Sequence, residues 1–329
     1  MLSQRYPHAA PIPKSFVWGL ILAGGFMAFT AWDQSYWWRI REDYSYGWLV
    51  PLFIAYLVYD RWPKVVAQAR AVDRGSDDLP DERSGSARLI PVAAFLSLIG
   101  GGALFLSGAF LRPMAGVTHL NTLTITLGMT GTVLATVYFL APTNADLPGS
   151  RVNDRRKMVS LFLFPTALWL LSAPMLSVIE NHLSLFLMHQ VTSIVFFVFD
   201  RLGLALEQRG NVLILPTGSV GVAEACSGIR SLTGCLFAGS FLAAVFLQSR
   251  WKQAALIIAS LLFAFVANLL RSIFLTSWAY RHGAGSIEGT IHDISGYAVL
   301  GLTVVALLCL LPILDRKPVS HRPAVSAKG

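Results

Sequence analysis

Leu183 to Leu206 reads LSLFLMHQVTSIVFFVFDRLGLAL, and whether this stretch crosses a bilayer decides on which side everything after it lies. It is long enough to span, because about 20 apolar residues cover the hydrocarbon core. Yet His182, His189, Ser193, Asp200 and Glu207 recur at spacings that draw one narrow polar stripe along a helix. That pattern predicts an amphipathic helix at the interface or against a bundle, not a crossing. Charge parity gives an independent vote, since short cytoplasmic loops collect Lys and Arg. If this helix does not cross, five basic groups share one side: Arg5 and Lys14, the 63–88 loop, Arg151 with Arg155 to Lys157, Arg250 with Lys252, and Arg316 to Lys328. If it crosses, the last two groups lie outside.

Composition fixes the solvent around the rest of the chain. Of its 329 residues 54% are hydrophobic and 13% charged, with mean hydropathy +0.58. Soluble domains carry about 25% charged residues, so a typical cytosolic enzyme, a disordered tail and a nucleic-acid binder are excluded. The net charge of +8 is clustered, which reports membrane topology. Eight spans are expected at 16–32, 47–61, 89–111, 119–141, 158–179, 229–247, 254–276 and 294–314. The first follows Arg5 and Lys14 but lacks a small-residue cleavage site before the aromatic stretch Trp32 to Trp38, and reads as a retained span with an interfacial belt after it.

The expected fold is therefore an all-α polytopic membrane protein in a single membrane domain. It has eight transmembrane helices, one outer-side amphipathic helix and a short hairpin at Gly210 to Gly221. Residues 63–88 form a cytoplasmic loop, 181–225 an outer-side segment and 315–329 a cytoplasmic tail, with both termini inside. Three cysteines, at 226, 235 and 309, cannot close a disulfide framework.

This topology brings Cys226, Arg271 and His292, from three different helices, to the outer face. Cys226 stands in Ala223-Glu224-Ala225-Cys226-Ser227-Gly228-Ile229-Arg230. In the first turn of a helix its thiolate is favoured by unpaired backbone N–H groups and by Arg230 one turn on, and Gly228 leaves room beside the sulfur. The plain alternative is a small buried cysteine, the expected role of Cys235 and Cys309. Arg271 shares a helix face with Asn268 and can hold an oxyanion, or else snorkel to the headgroups. His292 can move a proton as general base and acid, or be a surface histidine at a helix start. Asp293 reads as the N-cap of the last span, because neighbours in sequence do not share a helix face. Ser227 is a second potential nucleophile without a GxSxG elbow, and His282 and Glu288 are weaker candidates. None of the histidines and acids shows a tight ligand spacing, so neither metal nor other cofactor is expected. A transporter would place ionisable residues near the midplane, whereas here they gather at the edges.

These residues resemble the exosortase/archaeosortase family of polytopic membrane cysteine transpeptidases. The resemblance is carried by Glu224-Ala225-Cys226-Ser227-Gly228-Ile229-Arg230-Ser231-Leu232, by Asn268-Leu269-Leu270-Arg271 and by His292-Asp293-Ile294-Ser295-Gly296-Tyr297. Asp43-Tyr44-Ser45-Tyr46-Gly47-Trp48-Leu49-Val50-Pro51 is similar to the family's early loop, although family members often carry His where Tyr46 stands. The resemblance implies Cys226 as nucleophile with Arg271 and His292, supported by Glu224, Ser227, Gly228, Arg230, Asn268 and Asp293. It implies cleavage of exported proteins at a C-terminal sorting signal of the Pro-Glu-Pro (PEP-CTERM) kind: a short motif, a transmembrane helix and a basic tail. The setting is a prokaryotic inner membrane, the active site facing outward among membrane lipids, with any accessory domain on a separate chain. The rival reading is a transport or scaffolding protein for a lipid or polysaccharide intermediate.

Overall fold

The computed structural model describes residues 12–71, 86–143, 150–221, 228–287 and 289–315. The chain forms two compact units, one up to Leu187 and one from Met188. Nine long helices carry the described residues, with one small sheet.

In the first unit α1 runs from Lys14 to Ile40, so the aromatic stretch from Trp32 is not an interfacial belt after a span but the last turns of the span helix itself. Two of its rings are buried because their N–H groups find partners on neighbouring helices. Trp37 donates to Thr122 Oγ1 at 2.9 Å on α4 (His119–Leu140), and Trp38 donates to the Ser172 carbonyl at 3.2 Å on α5 (Ser150–Ser172). Gln34 Nε2 donates to Thr126 at 2.8 Å, while its oxygen accepts from Ser172 at 2.7 Å. Leaving a buried amide or indole without a partner is costly, so these bonds fix the packing of α1 on α4 and α5.

Helix α3 (Ser86–Ala115) packs closely on α4 through glycines. A Cβ on Gly128 would stand 2.3 Å from the Phe105 nitrogen, which leaves no side chain room there. A 3-10 turn, Glu42–Leu49, precedes α2 (Val50–Ala71), so the second helix starts after Gly47 and continues through Pro63. The loop expected at 63–88 is thus helical over 63–71 and again from Ser86, with 72–85 outside the described residues. The fifth expected span, 158–179, is broken: α5 stops at Ser172 and α6 (Ser177–Arg201) begins after Ala173-Pro174-Met175-Leu176. Pro174 has no N–H to continue the ladder and restricts the residue before it.

Among the described residues seven helices are long and apolar enough to cross a membrane: α1, α3, α4, α6, α7 (Ile229–Phe246), α8 (Arg250–His282) and α9 (Thr290–Asp315). Six of the eight expected spans are in that set; α2 and α5 are not, α2 carrying Asp60, Arg61 and Lys64, and α5 carrying Asp154 and Arg155 to Lys157. Conversely α6, expected outside the membrane, has the length and composition to cross. Its stripe is real as far as the helix goes: His182, His189 and Asp200 are exposed, opposite the buried Val191, Val195 and Phe199. Glu207 is not part of it, because the helix ends at Arg201, Gly203 turns the chain at φ 71°, and Glu207 opens a strand.

The second unit holds the end of α6, a sheet, and α7 to α9. The expected hairpin has three strands, β1 (Glu207–Arg209), β2 (Val212–Leu215) and β3 (Gly218–Gly221), antiparallel in the order β1-β2-β3. Gly210, at φ 62°, makes the first turn. Leu213 and Leu215, two apart, point to one face. Leu213 packs with Val191, Val195, Phe199 and Leu275, and Leu215 with Val220 and Ala279. Thr217 donates to the Ala279 carbonyl at 3.1 Å, tying the sheet to the last turns of α8.

Candidate active site

Helix α8 runs to His282, six residues beyond the expected span end, so Arg271 lies about 16 Å from the helix end by rise. The side chain turns to α9. Arg271 Nε donates to Ser295 Oγ at 3.0 Å, and Nη2 donates to the His292 carbonyl at 2.9 Å. Ser295 in turn donates to the same carbonyl at 2.7 Å. Guanidinium, hydroxyl and carbonyl form a closed ring of hydrogen bonds across the two helices.

His292, expected just ahead of the last span, stands in the first turn of α9, because the helix begins at Thr290, and Asp293 is not the N-cap. Asp293 sits in the first turn, and its Oδ1 lies 3.2 Å from His292 Nδ1. The two side chains lie on different faces of the helix, as adjacent residues do, and still touch. A carboxylate on Nδ1 fixes the imidazole tautomer that leaves Nε2 as the proton-exchanging atom.

Asn268 is buried on α8, but among the described residues the partners of the guanidinium are Ser295 and His292, so Asn268 does not orient Arg271. Ser295, without a role assigned from the sequence, joins this cluster; its signal is the three-residue spacing from His292, which stacks both on one helix face. His282 stacks on Trp278 at 4.3 Å, on the exposed end of α8, and is not part of this cluster. Cys235 is buried and Cys309 exposed.

Helix α7 begins at Ile229, with Gly228 before it at φ 72°. That left-handed conformation demands glycine, a reason beyond the space it leaves for a neighbouring sulfur. The expectation that Cys226 stands in the first turn of this helix falls on residues outside those described. Cys226, Glu224 and Ser227 lie outside the described residues, as does Glu288. Arg230 is exposed at the second helical position.

A groove of about 320 Å³ opens between α8 and α9, walled by Leu270, Phe274, Ile291, Ile294, Ala298 and Val299, with Arg271 and Ser295 beside them. It is an apolar channel with one cation in its wall. Among the described residues no three His, Cys, Asp or Glu side chains come together to hold a metal ion.

The model of the transmembrane exosortases matches residues 37–309, from the end of α1 into α9. The chain belongs to the transmembrane exosortase family. No curated protein and no solved structure matches it. As an exosortase-family protein it is an integral membrane protein with a membrane transpeptidase or protease role, and the Arg271 and His292 contact falls within the matched region. The early loop similar to the family's is also built into the first unit. Tyr44 is buried, donates to Glu180 Oε2 at 3.2 Å and accepts the Met175 N–H at 3.0 Å. Arg41 pairs with the same Glu180. Burial, with the Glu180 charge beside it, pushes the Tyr44 phenol well above its ordinary range. Tyr46, where a histidine is frequent in the family, donates to the Leu171 carbonyl at 2.6 Å.

Proposed function

We propose that this exosortase-family protein cleaves a C-terminal, PEP-CTERM-like sorting signal of exported proteins through a thioester on Cys226. The observation that carries the reading is the fixed guanidinium of Arg271, bonded to the His292 backbone at an apolar groove. A substrate segment of apolar character suits that groove, and a peptide carbonyl beside Arg271 would meet its remaining N–H donors.

In the chemistry we assign, His292 takes the thiol proton and the Cys226 thiolate adds to the scissile carbonyl carbon. The carbonyl π electrons move to oxygen, and the oxyanion is held by Arg271. Collapse breaks the C–N bond, His292 returns the proton to the leaving amine, and a thioester remains. An amine or water then attacks that thioester and the thiolate leaves, giving transfer or hydrolysis. Asp293 holds the His292 ring for both proton steps.

The topology that fits this reading has both termini cytoplasmic and the reacting groups at the outer face of a prokaryotic inner membrane. The substrate's basic tail would then lie on the side of this chain's own basic loops. Co-expression of an exported reporter bearing such a signal tests it, comparing wild type with Cys226→Ala. We expect cleavage in the wild type and none in the variant, with the intact mass of the product separating transfer from hydrolysis. Unchanged cleavage by the alanine variant contradicts the thiol mechanism, and a protein that still supports export of a lipid or polysaccharide intermediate without Cys226 favours the transport reading.

A further inference from the structure

We infer that Ser295 is a positioning residue for this reaction, locking the Arg271 guanidinium to the backbone of His292 so that its remaining N–H donors hold one direction. The inference rests on the function proposed above and adds a residue to it.

A serine that bonds the carbonyl three residues back is ordinary in helices and signals nothing alone. Ser35, Ser107, Ser160 and Ser260 all do it here. Ser295 differs because its oxygen is also an acceptor for Arg271 Nε, from another helix and 24 residues away in sequence. Its one hydrogen goes to the His292 carbonyl, and the same carbonyl takes Arg271 Nη2. Turning the Ser295 side chain about Cα–Cβ would therefore break two bonds at once, and the guanidinium plane is held at two of its three nitrogens. Among the described residues no hydrogen bond engages the Nη1 end.

Ser295 is 8% exposed, so water does not readily replace its oxygen. Arginine has a long side chain with rotamer freedom to lose, and an oxyanion donor is worth most when it is already in place. Without the hydroxyl, Nε loses its acceptor and the guanidinium can tilt about the one remaining bond. The one proton of Ser295 is committed to the His292 carbonyl, so it acts through Arg271 and not on substrate.

The test uses the full-length purified chain and a cleavable signal reporter, with Ser295→Ala, Ser295→Thr, Arg271→Ala and the double variant Ser295→Ala/Arg271→Ala, all checked for equal thermal melting. We expect Ser295→Ala to lower kcat by about 10- to 100-fold with KM changed less than about 3-fold, because a misplaced donor costs the transition state and not the ground state. Threonine, which keeps the hydroxyl, should recover most of the loss. In the Arg271→Ala background the serine substitution should add almost nothing, as expected for two residues acting as one unit. Wild-type kcat in Ser295→Ala, or the full loss repeated in the Arg271→Ala background, overturns the inference. A second readout does not need turnover: modification of Arg271 by phenylglyoxal, followed by peptide mass. Freed of its Nε bond in Ser295→Ala, Arg271 should react several-fold faster, and an unchanged rate overturns the inference even if no reporter is cleaved. Cleavage by Cys226→Ala at the wild-type rate strikes the proposed function instead.

Discussion

Arg271 makes its contacts by geometry that lysine cannot copy. Its Nε and Nη2 reach a hydroxyl and a carbonyl at 3.0 and 2.9 Å in one plane, whereas an ammonium offers a point charge on a shorter stem. Arg271→Lys should therefore reduce turnover by about 10²- to 10³-fold with little change in KM, measured by steady-state reporter cleavage. Asp293→Asn keeps the shape beside His292 but loses the charge that fixes the ring. Because that carboxylate is exposed, we expect a fall on the order of 10-fold, not the larger losses seen when a buried acid is removed. Equal rates for Asp293→Asn and wild type would show that the 3.2 Å contact has no part in proton transfer. Arg271 and His292 were legible as candidates in the sequence because each is a reactive side chain at an edge of an apolar run. Their actual contact was not, since it runs through a backbone carbonyl, which carries no signature in a sequence, and through a serine whose only signal is its spacing from His292.

At the scale of elements, two contacts decide how the first unit holds together. Gly128→Ala should destabilise by about 1–3 kcal/mol, because the added carbon meets backbone of α3 at 2.3 Å and backbone cannot step aside. Gly100→Ala, on the same pair of helices but with nothing within 4 Å, should stay within about 1 kcal/mol of wild type. Thermal melting in detergent separates the two. Tyr44→Phe removes the acceptor of the Met175 N–H and a donor to Glu180, a cost of about 1–3 kcal/mol. Its pH behaviour has a definite sign. The folded state holds the phenol proton more tightly than the unfolded chain does, so this stabilisation is complete below about pH 10 and is lost as pH rises beyond it. The gap in melting temperature between wild type and Tyr44→Phe should narrow above that pH and stay constant below it. A gap that widened with pH would mean the phenolate is favoured in the fold. Helix existence was readable from hydrophobic runs, but helix ends were not. Trp37 and Trp38 look like interfacial rings by composition and are buried by their partners Thr122 and Ser172, 85 and 134 residues distant in sequence.

For the whole molecule the sequence gives two votes on α6 that differ. Its length and apolarity allow a crossing, while the exposed His182, His189 and Asp200 and the distribution of Lys and Arg favour an outer-side position. A reporter joined after residue 329 decides, because one additional crossing reverses the side of everything beyond it. With α6 outside and eight crossings, a C-terminal fluorescent protein should fold and an alkaline phosphatase should be inactive. The opposite pair of results would put the C-terminus outside. The central claim is the covalent step at Cys226, and the most direct measurement is reporter cleavage in the presence of hydroxylamine with the product's new C-terminus read by intact mass. A thioester intermediate predicts a hydroxamate at that terminus in the wild type, increasing with hydroxylamine concentration, and no cleaved product in Cys226→Ala. A product that keeps a plain carboxylate at every hydroxylamine concentration, or a hydroxamate formed equally by the alanine variant, would contradict the account.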